Sequence, residues 1–299
     1  MRYLNSLVAV AAIGMTLQAQ AQDVSVKTDD LGKGVYALTT NMAGNVGAVI
    51  GDDGVFIIDT QMANLAPLID AAIKTLSEGG DVDLVLNTHL HGDHVLGNQY
   101  FAEKGAVVMA HPNVRPGLIS PKTSLLTGRT PDVLSGAMLP TVSVNEGDAI
   151  TMNGVTAKLY HTPNAHTDGD IFVYFEEANV IHAGDLLFNG WFPYIDLDNG
   201  GTVDGYIAGM QRIVDLSDDE TVIIAGHGPL AKKGDLEASI AMLKAGKAEV
   251  QKRVDKGMTL AEVQKAEPLA AYHEDWNWRF ITTERMVWTF YRDITGKAE

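Results

Sequence analysis

Three of the nine histidines in this 299-residue chain fall within six consecutive positions, and no other feature restricts the fold as strongly. The cluster, HLHGDH at residues 89–94, directly follows an apolar run at residues 82–87 that is typical of a short buried strand. Functional sites of α/β folds lie at the carboxyl ends of such strands. The alternative, a polar loop with chance histidines, is disfavoured because so few histidines are present elsewhere.

The spacing inside this cluster is suited to binding a metal. In an extended segment His89 and His91 point to the same side. Gly92 has no Cβ and permits a tight turn, so that Asp93 and His94 fall at the start of a following helix and point into the same space. Four ligand-type side chains can therefore surround one point or two neighbouring points.

Three further ligand-type residues lie far along the chain, each predicted at or just after the end of a strand and each with a glycine nearby: His166, Asp185 and His227. The chain has no cysteine, so any metal must be held by histidine and carboxylate. This donor set favours zinc, with iron or manganese as alternatives.

Taken together, the six-residue cluster and the three later residues closely resemble the motifs of the metallo-β-lactamase superfamily. The resemblance covers nearly all of the chain after residue 21 and implies an α/β fold, the αββα sandwich. In that fold two mixed β-sheets pack face to face with helices on the outside, and the metals lie in a cleft along one edge. The resemblance also implies two Zn²⁺ per chain. The first ion would be held by His89, His91 and His166, and the second by Asp93, His94 and His227. Asp185 would bridge the two ions.

The reaction implied by the resemblance is hydrolysis. Two metals about 3.5–4 Å apart would share a hydroxide whose pKa is lowered to roughly 7, and this hydroxide would attack a carbonyl group. Asp93 is expected to be catalytic as well as a ligand, because it can orient the nucleophile or accept its proton. The complete ligand set looks more like the glyoxalase II, lactonase and ribonuclease Z branches than like true β-lactamases, many of which have cysteine at the position of Asp185. A β-lactam, a lactone, an ester and a thioester all remain candidate substrates.

Two other kinds of function stay open on the sequence. One is a redox enzyme on the same fold, such as a mononuclear-iron sulfur dioxygenase. The other is a binding protein that keeps its metals without turnover, which the intact ligand set disfavours.

The N-terminus has the features of a secretory signal peptide. An apolar run from Leu7 to Leu17 precedes a small-residue cleavage pattern at residues 19–21, which predicts a signal peptide at residues 1–21 and a single mature domain at residues 22–299. The run is too short for the alternative of a membrane anchor. We therefore expect a periplasmic or secreted protein without stable membrane association. The net charge of −16 disfavours nucleic acid and leaves a small-molecule substrate, and the oligomeric state is left open.

Helices are expected from apolar spacing, and the part from about residue 235 to 299 is expected to be mostly helical. Residues 112–140 contain four prolines and are expected to form loops and short helices over a cleft. Thr259 and Glu262 form a capping box at the start of one helix. The other predicted helices are Ala63–Ser77, Val95–Glu103, Val203–Leu216, Leu236–Val254 and Trp278–Asp293.

Several residues carry weaker signals. Asp59, at the end of an apolar strand, is either a partner of a ligand histidine or a strand-end cap. Thr88 and Asp170 are open to the same two interpretations. The remaining histidines are expected to be structural or on the surface: His111, His161, His182 and His273.

Substrate contacts are the least defined part of the sequence. Phe188 occupies the position where many β-lactamases place a carboxylate-binding lysine, so that a cation would have to come from elsewhere, such as Lys122 or Arg129. Trp191, Phe192 and Tyr194 either wall a substrate pocket or cover the edge of the sandwich. The aromatic residues at 276–291 are expected to belong to the core, with a dimer contact as the alternative.

Overall fold

The computed structural model describes residues 24–40 and 42–298, so the predicted signal peptide at residues 1–21 lies outside the described residues. Its strands form two sheets. The first sheet has seven strands, which lie side by side in chain order: β1 Lys27–Asp30, β2 Val35–Thr39, β3 Val46–Gly51, β4 Gly54–Ile58, β5 Leu84–Asn87, β6 Val107–Ala110 and β7 Val142–Ser143. The second sheet has five strands, in the spatial order β12-β11-β10-β9-β8: β8 Ala149–Met152, β9 Val155–Thr162, β10 Asp170–Phe175, β11 Val180–Phe188 and β12 Val222–His227.

Both sheets are mixed. Strands β1 to β4 pair antiparallel and β4 to β7 pair parallel. The second sheet is antiparallel except for the parallel pair β11–β12. The Asn153-Gly154 pair, a sequence typical of a two-residue hairpin turn, joins β8 to β9, and both residues have the positive φ, 56° and 73°, that such a turn favours.

Nine α-helices accompany the sheets in the described part of the chain: α1 Ala66–Leu76, α2 Gly92–Val95, α3 Asn98–Ala102, α4 Val114–Ile119, α5 Val203–Leu216, α6 Lys233–Val254, α7 Leu260–Lys265, α8 His273–Trp276 and α9 Thr283–Thr295. Over residues 24–40 and 42–298, none of the helices combines the length and apolarity needed to cross a bilayer.

The two faces of each sheet explain the layered architecture. In β4, Phe56 and Ile58 pack between the sheets, whereas Val55 and Ile57 point outward into the layer formed with α1 and α3. The outer face of the second sheet is covered by a core that includes Tyr206 of α5 and residues of α6 and α9. The order helix, sheet, sheet, helix confirms the predicted αββα sandwich.

The prediction of one continuous helix at Val95–Glu103 is wrong. The chain instead forms α2 and α3, with a break around Gly97. The backbone N–H of Gly97 donates to Gln61 O at 2.9 Å, and a Cβ at Gly97 would collide with Thr60 O. The close approach of the loop at 60–61 therefore interrupts the helix.

The helix predicted at Trp278–Asp293 begins five residues later than expected. Thr282 caps α9, because its side chain accepts a hydrogen bond from Arg285 N. Residues 276–280 lie outside α9 and extend toward the edge of the sandwich, where the indole N–H of Trp278 donates to Phe192 O at 2.8 Å. The capping box predicted at Thr259 and Glu262 is confirmed.

Candidate metal centre

All seven predicted ligand residues meet at one edge of the sandwich. They arrive on separate elements: the segment after β5, the short helix α2, the loop after β9, and the strands β11 and β12. They form two groups, in each of which one nitrogen or carboxylate oxygen per residue lies within 4.8 Å of the others: His89, His91, His166 and Asp185; Asp93, His94 and His227.

Asp185 lies between the two groups. Its Oδ1 is 3.1 Å from His94 Nε2, and its Oδ2 is 3.7 Å from His89 Nε2 and 3.5 Å from His166 Nε2. His227 Nε2 lies 3.4 Å from the same Oδ2. The carboxylate of this one residue thus contacts both groups, with Oδ2 close to members of each and Oδ1 close to His94 of the second.

The prediction that Asp185 ends a strand is wrong, since β11 continues to Phe188. The pairing of β11 with β12 shifts register on both sides of Gly184, whose φ is +52°. This bulge re-aims the following side chain, so that Asp185 reaches the cleft from the middle of a strand. A Cβ at Gly226 on β12 would collide with Asp185 Oδ1, which makes a glycine necessary there.

Hydrogen bonds outside the centre define the orientation of two first-group histidines. His166 Nδ1 lies 2.7 Å from Tyr194 O, and a carbonyl oxygen can only accept, so His166 carries its proton on Nδ1. His91 Nε2 lies 2.8 Å from Asp196 Oδ2 and donates to this carboxylate. In each imidazole the other nitrogen then presents a lone pair to the centre.

A second chain of hydrogen bonds begins at Asp59, which is fully buried. The Thr88 hydroxyl donates its single proton to Asp59 Oδ2 at 2.8 Å and must therefore accept from His89 Nδ1, 2.9 Å away. His94 Nδ1 donates to Asp59 Oδ2 at 2.8 Å. Asp59 is thus a partner of two predicted ligand histidines rather than a strand-end cap, and His89 and His94 both direct Nε2 at the centre.

This arrangement fits metal ions. His91 Nδ1 lies 3.1 Å from His89 Nε2 and 2.8 Å from His166 Nε2, so in the neutral imidazoles three lone pairs converge on one point. His94 Nε2 and Asp185 Oδ1 are both buried and lie 3.1 Å apart, but neither makes a hydrogen bond of good geometry. Unpartnered buried acceptors are costly, and cations at both groups would satisfy them.

The charges around the two groups depend on one another. Burial would raise the pKa of Asp185, but the charge of His94 and then of His227 holds this pKa well below its usual range. Burial would lower the pKa of His227, but Asp185 raises it to about 9. Burial and the charge of His91 lower the pKa of His166 to about 4. The carboxylates require positive charge, which protons supply in the metal-free protein and metals would replace.

Replacement of Asp59 by alanine is expected to weaken metal binding at the second group by about 10–100-fold, the usual effect of losing a partner behind a ligand histidine. The change removes the acceptor that fixes His94 and the Thr88 hydroxyl. Titration of the metal-free protein with zinc, followed by competition with a chromophoric chelator, measures this affinity. Unchanged affinity in a correctly folded variant would show that Asp59 only closes the strand.

The other histidines lie outside both groups. His182 is buried and its Nδ1 accepts from Gly184 N at 3.2 Å, which confirms a structural position for it. His111 and His161 stack on each other at 3.8 Å, and His273 bonds to Thr283 at the surface. Asp170, which accepts from Thr167 at 2.6 Å and 2.7 Å, is buried behind the loop of His166, and burial raises its pKa to about 7.

Aromatic residues wall the cleft beside the metal groups. Tyr194 lies 5.3 Å from His91 ring to ring, and Trp191 stacks on Trp278 at 5.0 Å, so that two of the three predicted pocket residues face the cleft. Phe192 is fully buried and belongs to the core. Trp278 was expected in the core, but it lies 6.5 Å from His227 and forms part of the wall.

The sequence did not indicate two further residues of the candidate site, Asp196 and Arg285. Asp196 fixes His91, although 105 residues separate them. Arg285 lines a cavity with His91, Lys122 and Arg129, so both predicted cations do face the site. Asp196 had one signal in the sequence, namely its place in the polar loop that follows the aromatic residues 191–194.

The chain is similar to known proteins along most of its length. A sequence profile of the metallo-beta-lactamase superfamily matches residues 39–227. Hydroxyacylglutathione hydrolase from Brucella ovis is 29% identical over 189 residues, which are 61% of this chain and 62% of that protein. For uncharacterised curated relatives that match at 38% and 32% identity, the chain covers 41% and 68% of their length.

Solved structures share the fold. A metallo-beta-lactamase from Pontibacter korlensis superposes with a TM-score of 0.60 at 16% identity, covering 74% of this chain and 99% of that one. The sec-alkylsulfatase Pisa1 from Pseudomonas sp. superposes with a TM-score of 0.69 at 15% identity, covering 91% of this chain and 50% of that one. At this level of identity the likeness concerns the fold.

Proposed function

The chain belongs to the metallo-beta-lactamase superfamily, and from this we propose that it is an exported dinuclear zinc hydrolase that opens a carbonyl compound: a β-lactam, a lactone, an ester or a thioester. The observation that carries the proposal is the convergence of inward-facing lone pairs and carboxylates in two adjacent groups that share Asp185. Seven such residues exceed what one tetrahedral catalytic zinc uses.

The residues would divide as the resemblance implies. His89, His91 and His166 would hold the first ion, and His94 and His227 would hold the second. Asp93 would complete the second group, and Asp185, which contacts both groups, would be shared between them. When bound, the metals would supply Lewis-acid activation of water and of the scissile carbonyl.

The protein's own groups would then orient water and move its proton. The side chain of Asp93 is 32% exposed, unlike that of Asp185, which is 3% exposed, so Asp93 faces the cleft. Its Oδ2 lies 3.2 Å from His227 Nε2. In the hydrolysis, water supplies OH to the acyl carbon and a proton to the leaving group, and Asp93 is the carboxylate placed to carry this proton.

The Brucella relative adds weight to the thioester among the candidate substrates. Phe188 stacks on His227 at 4.7 Å in place of the lysine that many β-lactamases use, which weighs against a β-lactam held in the usual way. A mononuclear-iron sulfur dioxygenase remains the alternative activity, and it would contain one iron per chain. We also propose that the protein is periplasmic or secreted, without stable membrane association, and acts on a small molecule rather than nucleic acid.

The test of the proposal is a substrate panel applied to the zinc-loaded protein and to the same preparation after chelation. The panel contains a cephalosporin, a carbapenem, a homoserine lactone, a glutathione thioester, an aryl ester and a secondary alkyl sulfate. We expect metal-dependent hydrolysis of at least one carbonyl substrate. No turnover of any of them, or oxygen consumption with a persulfide, would refute the hydrolase assignment.

A further inference from the structure

Two cavities flank the two groups: the one at His91 of the first group has three cationic side chains on its wall, and the one at His227 of the second group has two tryptophans. From this arrangement we propose that the substrate is an organic anion with an apolar arm. Its anionic end binds at Lys122, Arg129 and Arg285, and its apolar end packs on Trp191 and Trp278. The proposal rests on the hydrolase function, because it places the scissile carbonyl between the two cavities.

The cavity beside His91 has three cationic side chains on its wall, although acidic residues outnumber basic ones by 38 to 22 in the chain. Among the described residues, none of the three is within salt-bridge distance of a carboxylate. The Lys122 ammonium donates to Asp198 O at 3.0 Å, and the Arg285 guanidinium donates to Phe280 O at 2.6 Å. Both acceptors are uncharged backbone carbonyls, so they do not neutralise the positive charges of Lys122 and Arg285.

Two carboxylates at this cavity, those of Asp196 and Asp198, already have partners. Asp198 pairs with Arg292 through two bonds of 2.6 Å and 3.1 Å. Asp196 accepts from His91 and from the side chain of Asn199. An incoming anion therefore does not have to displace an internal one, and a cavity with concentrated positive charge attracts anions to the site.

The groove beside His227 has an apolar wall formed by two tryptophans. Trp191 and Trp278 stack at 5.0 Å with their planes 18° apart, and Met42 and Pro229 line the same groove. Its one ammonium group, that of Lys27, is paired with Asp29 at 2.8 Å. Stacked indoles beside a hydrolytic centre suit an aromatic or long acyl group.

A pair of chromogenic esters separates the two contributions. The 4-nitrophenyl monoester of adipate and 4-nitrophenyl hexanoate share the aryl group and the acyl chain, and differ only in a terminal carboxylate or methyl. On the zinc-loaded protein we expect a higher kcat/KM for the adipate monoester than for the hexanoate ester, mainly because its KM is lower. Arg129→Glu and Lys122→Glu should each lower kcat/KM for the adipate monoester by about tenfold. The kcat/KM for the hexanoate ester should stay nearly unchanged. Both residues are exposed, so the fold should tolerate the changes.

The matched control is Arg279→Glu. Arg279 is exposed near the same edge but is not part of the cavity wall, so its reversal changes the net charge equally. The preference for adipate should survive in this variant. Equal kcat/KM values for the two esters in the wild-type protein would refute the binding of an anionic group at this cavity. An equal loss of kcat/KM for the adipate monoester in all three variants would refute it as well. Either result would leave the hydrolase function intact.

A binding measurement covers the case in which neither ester is hydrolysed. Calorimetry on the zinc-loaded protein compares 4-phenylbutane-1-sulfonate with 4-phenylbutan-1-ol, because a sulfonate is a poor metal ligand. We expect the sulfonate to bind at least about tenfold more tightly, with the difference lost in Arg129→Glu and kept in Arg279→Glu. Equal binding of the two ligands would overturn the inference whatever the reaction is.

Discussion

Asp185→Asn is expected to lower the zinc content of the purified protein from two ions per chain toward one and to reduce turnover at least about 100-fold. The substitution keeps the shape of the side chain and removes its charge. Asp185 Oδ1 faces His94 and Oδ2 faces His89 and His166, so this one residue neutralises charge at both groups. Metal content by elemental analysis and turnover on a confirmed substrate measure the two effects.

Asp70→Asn is the matched control for this result. Asp70 and Asp185 are each 4% exposed, but Asp70 bonds to Lys104 at 2.6 Å and to Tyr100 at 2.9 Å, away from the metal groups. Its replacement should lower stability and leave metal content and turnover per folded molecule intact. If Asp185→Asn retains both metals and the full rate, Asp185 is not the bridging residue.

Asp93→Ala should reduce turnover by about 10²–10⁴-fold, the range typical of a lost general acid or base, and leave the fold intact. Asp93 is the one member of the second group whose side chain is substantially exposed to the cleft. The first group keeps all its residues, so one metal should remain bound. Thermal unfolding checks the fold, and the ratio of metal loss to rate loss separates the ligand role from the proton role.

Asp132→Ala serves as the control for Asp93. Asp132 lines the neighbouring pocket beside Leu90 and His91 and carries the same charge, but it belongs to neither metal group. A general electrostatic effect would lower turnover in both variants to a similar extent. Near-wild-type turnover in Asp93→Ala would refute the catalytic role.

The sequence predicted the candidate site well because metal ligands require particular residue types. The chain has nine histidines but 38 acidic residues. A cluster of histidines at residues 89–94 therefore indicates a metal site more specifically than a single aspartate does. The Asn153-Gly154 pair is likewise a local turn signal, and it forms the hairpin between β8 and β9. These features are local, so they can be read without knowledge of the tertiary contacts.

What the sequence did not predict depends on long-range contacts. Asp196 is one of 38 acidic residues, and only the folded chain brings it to His91. A glycine beside Asp185 is visible in the sequence, but the shift in register of β11 against β12 at Gly184 arises from the pairing of the two strands. The break at Gly97 results from the approach of another loop.

The start of α9 shows how a local signal can be outweighed. Aromatic residues at 276–291 have helical spacing, which predicted one continuous helix in the core. Thr282 caps the helix instead, and Trp278 bonds to Phe192 O, so residues 276–280 become part of the wall of the cleft. A threonine cap was present in the sequence, but the choice between the two starts depended on this tertiary bond.

The most direct test of a dinuclear centre is the metal content of the protein itself. The metal-free chain is titrated with zinc, excess metal is removed, and zinc and protein are quantified by elemental and amino-acid analysis. The account predicts two zinc ions per chain, because two groups of inward-facing ligands share Asp185. One tightly bound metal, with no second ion bound at any zinc concentration that leaves the protein folded, would contradict it.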